Sequence, residues 1–540
     1  MERVRGTRPT QPRASVFSRS THGRPLRVSG PRLGVDDPPG DRGRRRRDRG
    51  RKQVLLATVP RLPGHPEEGR LVADTELRVE PGSFRDPDSH VFYDGSEIRR
   101  ALSERGLADW EELAASELFR QAVTQGRLVA TERVADSDVL PAELDERGIA
   151  AVLRHERIPV VSYPYEWTFG MLQDAALLEL DLLLEALDEG LVLKDASPYN
   201  VQWRGTKPVF VDVGSFERLR EGEPWAGYRQ FCTLCLYPLL LQAYKGVPFQ
   251  PWLRGSLEGI EPAQMRALLG FRDRFRRGVL TNVVLHARLE SRYADREVKG
   301  DLKKAGFHAE LIRANARKLR KLVQRLEWTP GRTAWSGYGE ANPYDEADAA
   351  AKEAFVREAA GLRRRRMLWD IGCNDGRYTR IAAAEAEHAV ALDADAAVVE
   401  TLYRALRDEG SSTILPLVGN VTDPSPGLGW RGRERPPLGE RCPPDLTLCL
   451  ALVHHVSLSA NVPIRSFLDW LAELQTEVVI EFPTRDDPMV RRLLDRKGPG
   501  ANPDYETETF ERALEERFRV ERRDALPSAT RVLYRAVPAA

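Results

Sequence analysis

Short apolar runs recur along the last third of the chain, and stretches with helical spacing of apolar residues separate them. Runs of this length, bounded by polar and glycine residues, are typical of buried strands. Strands that alternate with helices predict an α/β fold built on a doubly wound sheet. The five runs are Met367–Asp370, Val390–Asp393, Ile414–Val418, Asp445–Leu452 and Glu477–Phe482.

Beyond the fifth run, the pattern predicts one more helix and a closing pair of strands. Thr507–Phe518 has the spacing of an amphipathic helix, and Arg519–Arg522 and Arg531–Tyr534 have the alternation of strands. The sheet is therefore expected to have seven strands, and a helix is also expected at Arg377–Glu387, directly after the first strand.

The middle of the chain has a different pattern, which predicts an α+β region. A long helix with an apolar face is expected at Leu172–Ala186. Two short strands, Asn200–Trp203 and Pro208–Val211, follow it around the turn Arg204-Gly205.

Changes in composition divide the chain into four parts: 1–70, 75–325, 326–345 and 346–540. Residues 1–70 are rich in Arg, Pro, Gly and Ser, and Asp41–Lys52 is strongly basic. Such a segment buries too little apolar surface to offset its chain entropy, so a disordered tail is expected; a nucleic-acid or membrane-surface tail and an over-extended reading frame are the alternatives. Residues 326–345 are expected to be a linker, because glycines and prolines punctuate 329–345.

Composition and charge exclude several classes of protein. With 82 Lys and Arg against 81 Asp and Glu, the net charge is +1, so no global field favours nucleic acid or a membrane surface as partner. Five cysteines do not form a disulfide framework, and they fit a reducing cytosol. The chain begins without an apolar signal segment, and the most apolar stretch, Leu234–Tyr244, contains Pro238 and is too short to span a membrane. A cytoplasmic protein without a membrane span is expected.

The loop after the first predicted strand carries the clearest chemical signal. Asp370 ends the strand, Gly372 and Gly376 follow in a tight loop, and a helix begins there. Glycines let backbone N–H groups approach a ligand, and the helix N-terminus is positive. The carboxylate of Asp370 suits a ligand with an amine or another cation. Asp393 ends the second strand, where an α/β fold places the carboxylate that binds ribose hydroxyls.

These residues resemble the S-adenosyl-L-methionine site of class I methyltransferases. The resemblance implies that Asp370 faces the methionine amino group, that Asp393 binds the ribose, and that Asn420 or Asp423 contacts the adenine. The backbone of Gly372, Asn374 and Gly376 would enclose the cofactor. In this family a glycine usually occupies the position of Asn374, and Asn tolerates positive φ better than most residues. The closing strand pair is also typical of the family; a Rossmann-like fold with another nucleotide is the alternative.

A second group of polar residues lies in the middle region. Asp195 stands five residues before Asn200, and Asp212 follows a short strand. The spacing resembles the catalytic and metal loops of protein kinases and aminoglycoside phosphotransferases. That resemblance implies a kinase-like domain over 75–325 with Asp195 as base, Asn200 and Asp212 as Mg²⁺ ligands, and Mg-ATP as cofactor.

One departure puts phosphoryl transfer in doubt. Kinases clamp the phosphates with a lysine, and this chain has no lysine between Lys52 and Lys194. Arg99 or Arg100 would have to replace it, although Arg and Lys are not interchangeable at such sites. Two alternatives stay open: a non-catalytic binding module, or aspartates that merely cap local turns.

The remaining candidates lie beside the fourth and fifth strands. His454 and His455 follow the fourth strand, at the edge of the sheet where a methyl acceptor would dock, and either one is a candidate base. Glu481, near the end of the fifth strand, is similarly placed. A structural hydrogen-bonding role is the alternative for both histidines, and Cys232 and Cys235 are expected to be core residues.

Taken together, the chain resembles a small group of bacterial methyltransferases related to nodulation proteins, in which a kinase-like region precedes a class I methyltransferase. The resemblance covers about residues 80–540 and leaves the methyl acceptor unidentified, whether small molecule, glycan or other. The stretches that carry this wider resemblance are Tyr163–Trp167, Leu193–Asn200, Pro224–Phe231 and Ile480–Phe482.

Overall fold

A seven-stranded mixed sheet forms the C-terminal half of the structure, which is a computed structural model. The strand order is β12-β11-β10-β13-β14-β16-β15. The first five strands in this order run parallel, and β16 is antiparallel to both of its neighbours, β14 and β15. The strands are β10 Arg365–Ile371, β11 Ala386–Asp393, β12 Ile414–Val418, β13 Leu446–Cys449, β14 Glu477–Pro483, β15 Phe518–Ala525 and β16 Arg531–Pro538.

The structure describes residues 77–134, 140–145, 147–288, 309–331, 346–498 and 500–539. The predicted tail at 1–70 and residues 332–345 of the predicted linker lie outside this part of the chain. All described residues belong to one compact unit, Val59–Ala540.

The N-terminal half contains a five-stranded antiparallel sheet of order β1-β2-β3-β5-β4. Two small two-stranded sheets, β6-β9 and β7-β8, follow it in the chain. The strands are β1 Leu77–Val79, β2 Ser89–Asp94, β3 Glu97–Leu102, β4 Thr131–Arg133, β5 Ala151–His155, β6 Leu191–Leu193, β7 Val201–Arg204, β8 Lys207–Phe210 and β9 Phe216–Arg218.

Helices cover both halves. In the N-terminal half they are α1 Glu104–Ala115, α2 Glu117–Thr124, α3 Ala142–Asp145, α4 Phe169–Asp188, α5 Tyr228–Phe231, α6 Tyr237–Lys245, α7 Gln250–Gly255, α8 Pro262–Leu268 and α9 Ala309–Val323. In the C-terminal half they are α10 Glu346–Gly361, α11 Arg377–Ala383, α12 Ala396–Asp408, α13 Leu438–Arg441, α14 Ile464–Glu473, α15 Pro488–Lys497 and α16 Thr507–Glu515.

Several predicted boundaries differ from those observed. The fourth strand ends at Cys449 rather than Leu452, because Ala451 has φ 51° and turns the chain. The helix predicted to reach Glu387 ends at Ala383, since Ala386 already pairs with Arg365 in the sheet. The helix predicted to end at Phe518 ends at Glu515, and Phe518 begins a strand.

The two halves share one apolar core and several polar contacts. The largest cluster of buried apolar residues extends from Leu102 in β3 to Ala536 in β16. Glu400 of α12 accepts a hydrogen bond from the backbone N–H of Gly170 at the start of α4 (2.9 Å), and both residues are buried. Tyr403, also in α12, donates to Asp174 (2.6 Å), so these helices fix the position of one half against the other.

Within the described residues, no helix combines the length and the apolar composition that crossing a membrane requires.

Candidate functional site

The loop between β10 and α11 turns sharply at three residues with positive φ. Gly372, Asn374 and Gly376 have φ of 80°, 48° and 76°. Only glycine adopts such angles without cost, and Asn is one of the few other residues that tolerate them. The departure at Asn374 is therefore compatible with the predicted loop. A Cβ atom at Gly376 would lie 2.7 Å from Leu402 Cδ1, so this position also needs the small residue.

Asp370 lies at the end of β10, and its carboxyl is almost completely buried. Thr379 of α11 donates a hydrogen bond to its Oδ2 (2.5 Å). Burial raises the pKa of Asp370 to about 6. A cation bound beside this carboxyl would favour its ionised form and compensate for the lost solvation.

Asp393 at the end of β11 is held by the backbone of the same loop. The N–H groups of Asp395 and Asn374 donate to its two carboxylate oxygens at 2.9 and 3.1 Å. Burial raises the pKa of Asp393, while these hydrogen bonds favour the charged form. Each carboxylate oxygen accepts more than one hydrogen bond, so the group retains acceptor capacity for ligand hydroxyls.

These side chains line a cavity of about 1350 Å³ at the carboxyl ends of the parallel strands. An open α/β sheet binds its ligands at this edge. Of the residues that the sequence singles out, Asp370, Gly372, Asn374, Asp393, Asn420 and His455 line the cavity.

Three predicted site residues do not line it. Gly376 ends the loop and immediately precedes the first residue of α11. Asp423 instead pairs with Arg254 of the N-terminal half (3.0 Å) on the exposed surface. His454 is completely buried.

The two histidines lie in a helical turn after β13, not on the strand itself. Their ring centroids are 3.9 Å apart. Burial lowers the pKa of His455 to about 4 and that of His454 well below its usual value. Both rings are therefore neutral near pH 7, and His455 is the one that borders the cavity.

Asp195, Asn200 and Asp212 meet in a second cleft, of about 1010 Å³, next to the N-terminal sheet. Burial, and next the charge of Asp212, raise the pKa of Asp195 to about 6. Of the two arginines considered as substitutes for a lysine, Arg100 of β3 contacts this cleft, because it donates to Asp212 Oδ1 at 2.6 Å. Arg99 pairs with Asp94 instead (2.7 Å).

No protein-family model matches the chain. Over 458 residues it is 33% identical to the nodulation protein NoeA of Rhizobium meliloti (strain 1021), which covers 84% of this chain and 94% of that protein. The chain belongs to the NoeA family. Membership bears out the predicted relationship to nodulation proteins and does not by itself define a reaction.

Among solved structures, the NoeA-family chain is similar to the N-methyltransferase NodS from Bradyrhizobium japonicum WM9. The match has 14% sequence identity and a TM-score of 0.27, and it covers 36% of this chain and 99% of that chain. It is also similar to a SAM-dependent methyltransferase from Aquifex aeolicus, with 14% identity, 38% of this chain, 100% of that chain and a TM-score of 0.27. These TM-scores lie below 0.5, so no functional conclusion is based on them.

The floor of the first cavity in this NoeA-family protein contains residues that local sequence patterns do not reveal. Lys352 of α10 lines the cavity, forms a buried ion pair with Glu481, and lies 4.6 Å from the ring centre of Tyr378. Glu481 also pairs with Arg531 (2.9 Å) and accepts from the backbone N–H of Ala451 (3.0 Å). Glu481 thus anchors Lys352 and Arg531 and does not itself line the cavity, and a lysine in a helix before β10 gives no sequence signal of its place there.

Part of the wall comes from the N-terminal half of the protein. Gln250 and Trp328 line the same cavity, although they precede the first C-terminal strand by many residues. Gln250 is buried, its Nε2 donates to the Trp167 carbonyl (2.8 Å), and its Oε1 has no hydrogen-bond partner among the described residues. Sequence reasoning placed the whole site in the C-terminal half and missed this wall.

The predicted core role of the two cysteines agrees with the structure, in which Cys232 and Cys235 are buried. Over the described ranges, no three His, Cys, Asp or Glu side chains are grouped so that they could hold a metal ion.

Proposed function

We propose that this NoeA-family protein transfers a methyl group from S-adenosylmethionine to an acceptor. One observation carries the proposal: Asp370, the Gly372 loop, Asp393 and Asn420 border a single cavity at the carboxyl ends of adjacent parallel strands. The amine of the ligand needs a carboxylate, and its ribose diol needs a second carboxylate next to the first. The adenine needs a polar rim beyond them. The cavity provides these groups on three neighbouring strands.

Each side chain has a distinct part in the proposed complex. S-adenosylmethionine, when bound, supplies a methyl group on a positively charged sulfur. Asp370 would bind the amino group, Asp393 the ribose hydroxyls and Asn420 the adenine edge. The backbone of the Gly372 loop would pack against the ligand, as the positive φ angles at Gly372 and Asn374 permit.

His455 is the proposed base for an acceptor that loses a proton. It borders the cavity, and its lowered pKa leaves the ring neutral, so a ring nitrogen can accept a proton at pH 7. His454, which is buried and whose ring is tilted by 42° against that of His455, is proposed to hold the ring in position. In-line methyl transfer depends largely on alignment, and a closed wall that includes Gln250 and Trp328 would provide it.

Isothermal titration of S-adenosylmethionine tests the proposal without knowledge of the acceptor. Asp393→Ala removes the carboxylate that the loop holds, and we expect its affinity to fall by about tenfold or more. Asp423→Ala is the matched control, because Asp423 lies in the same half but pairs with Arg254 at the surface. The proposal fails if wild type does not bind the ligand, or if the two variants bind it equally well.

The alternative from the sequence, phosphotransfer with Mg-ATP at Asp195, Asn200 and Asp212, meets a structural obstacle. A magnesium ion needs free carboxylate oxygens, but Arg100 donates to one oxygen of Asp212 and Ser215 donates to the other. Arg100 is buried and also donates to Ser89 Oγ (2.7 Å) and His155 Nε2 (3.1 Å), so it is firmly held. In this arrangement Asp195, Asn200 and Asp212 do not fit a Mg-ATP site. Of the alternatives, we retain the non-catalytic binding module.

A further inference from the structure

We propose that the second cleft binds a phosphate-bearing small molecule through arginine side chains and without a magnesium ion. The cleft holds about 1010 Å³, which is large enough for a ligand of nucleotide size. Arginines outnumber aspartates and glutamates along its wall. A planar guanidinium donates paired hydrogen bonds to phosphate oxygens and retains its charge at any physiological pH.

Four of these arginines are available for a ligand. Arg78, Arg157, Arg431 and Arg433 line the cleft and form no ion pair with a described carboxylate. Arg431 and Arg433 are exposed at the rim, and Arg78 lies over the ring of Tyr93 (4.6 Å). Positive charge that no acidic side chain neutralises attracts an anion into the cleft.

Deeper in the cleft, other arginines are held in place by protein contacts. Arg441 lies 4.3 Å above the ring of Tyr163, and Arg435 lies 4.6 Å above the ring of Tyr199. Arg441 also pairs with Glu166 (2.5 Å), and its side chain is almost completely buried. Fixed guanidinium groups lose little conformational entropy when an anion binds, which favours affinity.

Three residues of the cleft carry buried polar atoms that lack hydrogen-bond partners among the described residues. They are Asp195 Oδ1, Tyr199 Oη and Arg435 Nε. Buried polar atoms are nearly always paired, so three orphan atoms beside one cleft indicate that a bound molecule completes the network. Asp195 and Tyr199 would recognise a hydroxyl or amine of the ligand, while the arginines bind its phosphate.

Positive charge already occupies the place where a metal ion would bridge Asp212 and the phosphate. The Arg100 guanidinium is 2.6 Å from Asp212 Oδ1. The Asn200 amide donates to Ser215 Oγ (3.3 Å), and Ser215 in turn donates to Asp212. A divalent cation would have to displace Arg100 against charge repulsion, so the guanidinium is expected to take over the role of the metal.

Both halves of the chain build this anion site. Residues 427–441 belong to the connection between β12 and β13 in the C-terminal half, yet they contribute one wall of the cleft. Glu434 in this segment pairs with Arg85 of the N-terminal half (2.7 Å), which holds the wall in place. The site therefore depends on the full chain.

Calorimetric titration of the full chain with inorganic pyrophosphate and with ATP tests the proposal, each in excess EDTA and again with Mg²⁺. We expect binding of both probes in EDTA, and we expect that Mg²⁺, which chelates the phosphates of both probes in solution, does not strengthen it. The double variant R431Q/R433Q should weaken binding by about tenfold or more, because two guanidinium contacts are lost at the rim. The matched control is R218Q/R519Q, which removes two exposed arginines outside both cavities and should leave the affinity unchanged.

Both double variants change exposed side chains, and a thermal melt of each confirms that it is folded. Binding that requires Mg²⁺ would overturn the proposal and would favour the hypothesis that Asn200 and Asp212 are Mg²⁺ ligands. The absence of binding by either probe, or equal affinities for the two double variants, would also overturn it. The S-adenosylmethionine titration uses a separate cavity, so the two proposals fail independently.

Discussion

Glu481→Gln is expected to destabilise the protein by removing a buried charge from beneath the first cavity. Glu481 is 0% exposed, and its carboxylate lies between Lys352 and Arg531, which are 2% and 4% exposed. Arg531 keeps a second carboxylate partner in Asp487 (2.7 Å). Lys352 loses the carboxylate with which it forms its ion pair, so most of the cost falls on this lysine.

The size of the effect depends on whether Lys352 stays charged or loses its proton in the variant. Removing one partner of a buried ion pair while the other stays charged costs about 3–5 kcal/mol. The lysine can instead lose its proton, which at pH 7 costs about 4.6 kcal/mol from an ordinary pKa of about 10.4. The lower of these costs applies, and the variant is expected to lose about 3–5 kcal/mol of the free energy of unfolding.

The loss should also depend on pH in a defined direction. Burial already lowers the pKa of Lys352, and removal of the Glu481 charge lowers it further. The unfolded chain then binds more protons than the folded one between the lowered pKa and about 10.4, so stability increases with pH in that window. The difference from wild type should therefore shrink between pH 7 and pH 9.

Urea denaturation of wild type and E481Q at pH 7 and pH 9 measures both effects. Glu511→Gln is the control, because the partly exposed Glu511 pairs with Arg523 (2.7 Å) and accepts from Tyr534 (2.7 Å). Glutamine keeps an acceptor oxygen for these donors, so the change should cost at most about 1 kcal/mol. If E481Q were no less stable than E511Q, or if its deficit were the same at both pH values, the assigned role of the buried lysine would be refuted.

Three further outcomes are expected. Because the pKa of Asp370 is raised to about 6, the affinity for S-adenosylmethionine should fall between pH 7 and pH 5 as the carboxyl becomes neutral, and in calorimetry Asp370→Asn should bind weakly at both pH values. His455→Ala should lower kcat of the methyl transfer by about 100-fold and leave the Kd for S-adenosylmethionine nearly unchanged. If the affinity for S-adenosylmethionine fell by the same factor as kcat, His455 would be a binding residue and not the base. Gly376→Ala should cost about 1–3 kcal/mol in urea denaturation, because φ is 76° and Leu402 lies 2.7 Å from the new Cβ; an unchanged midpoint would refute this.

The sheet of the C-terminal half could be predicted because its strands are continuous apolar runs. Val390–Asp393 and Ile414–Val418 lie within or coincide with observed strands. The errors have local causes. The apolar run after Cys449 does not continue as a strand, because Leu450 and Leu452 line the cavity on either side of a turn at Ala451.

At the end of α11, helix propensity competes with pairing of the same residues in the sheet. Ala384–Glu387 has the composition of a helix, and the sequence prediction extended the helix through it. In the structure Ala386 and His388 pair with Arg365 and Met367 of β10. Sheet pairing of this kind involves partners twenty residues away and overrides local propensity.

Side chains that line the two cavities were predictable only where they follow a strand. Asp370 and Asp393 end apolar runs, so their place at the edge of the sheet follows from the topology. Lys352 and Gln250 come from helices whose packing is set by the tertiary fold, and no spacing in the sequence links them to the cavity. The same holds for Arg100, whose approach to Asp212 joins residues 112 positions apart.

Each half of the protein completes the cavity of the other. The C-terminal cavity has a wall of Gln250 and Trp328, and the N-terminal cleft has a wall formed by residues 427–441. The segment between β12 and β13 borders the first cavity at Asn420 and Thr422, pairs with Arg254 through Asp423, and reaches Glu166 through Arg441. Each cavity therefore takes part of its lining from the other half, and neither half alone contains the complete lining.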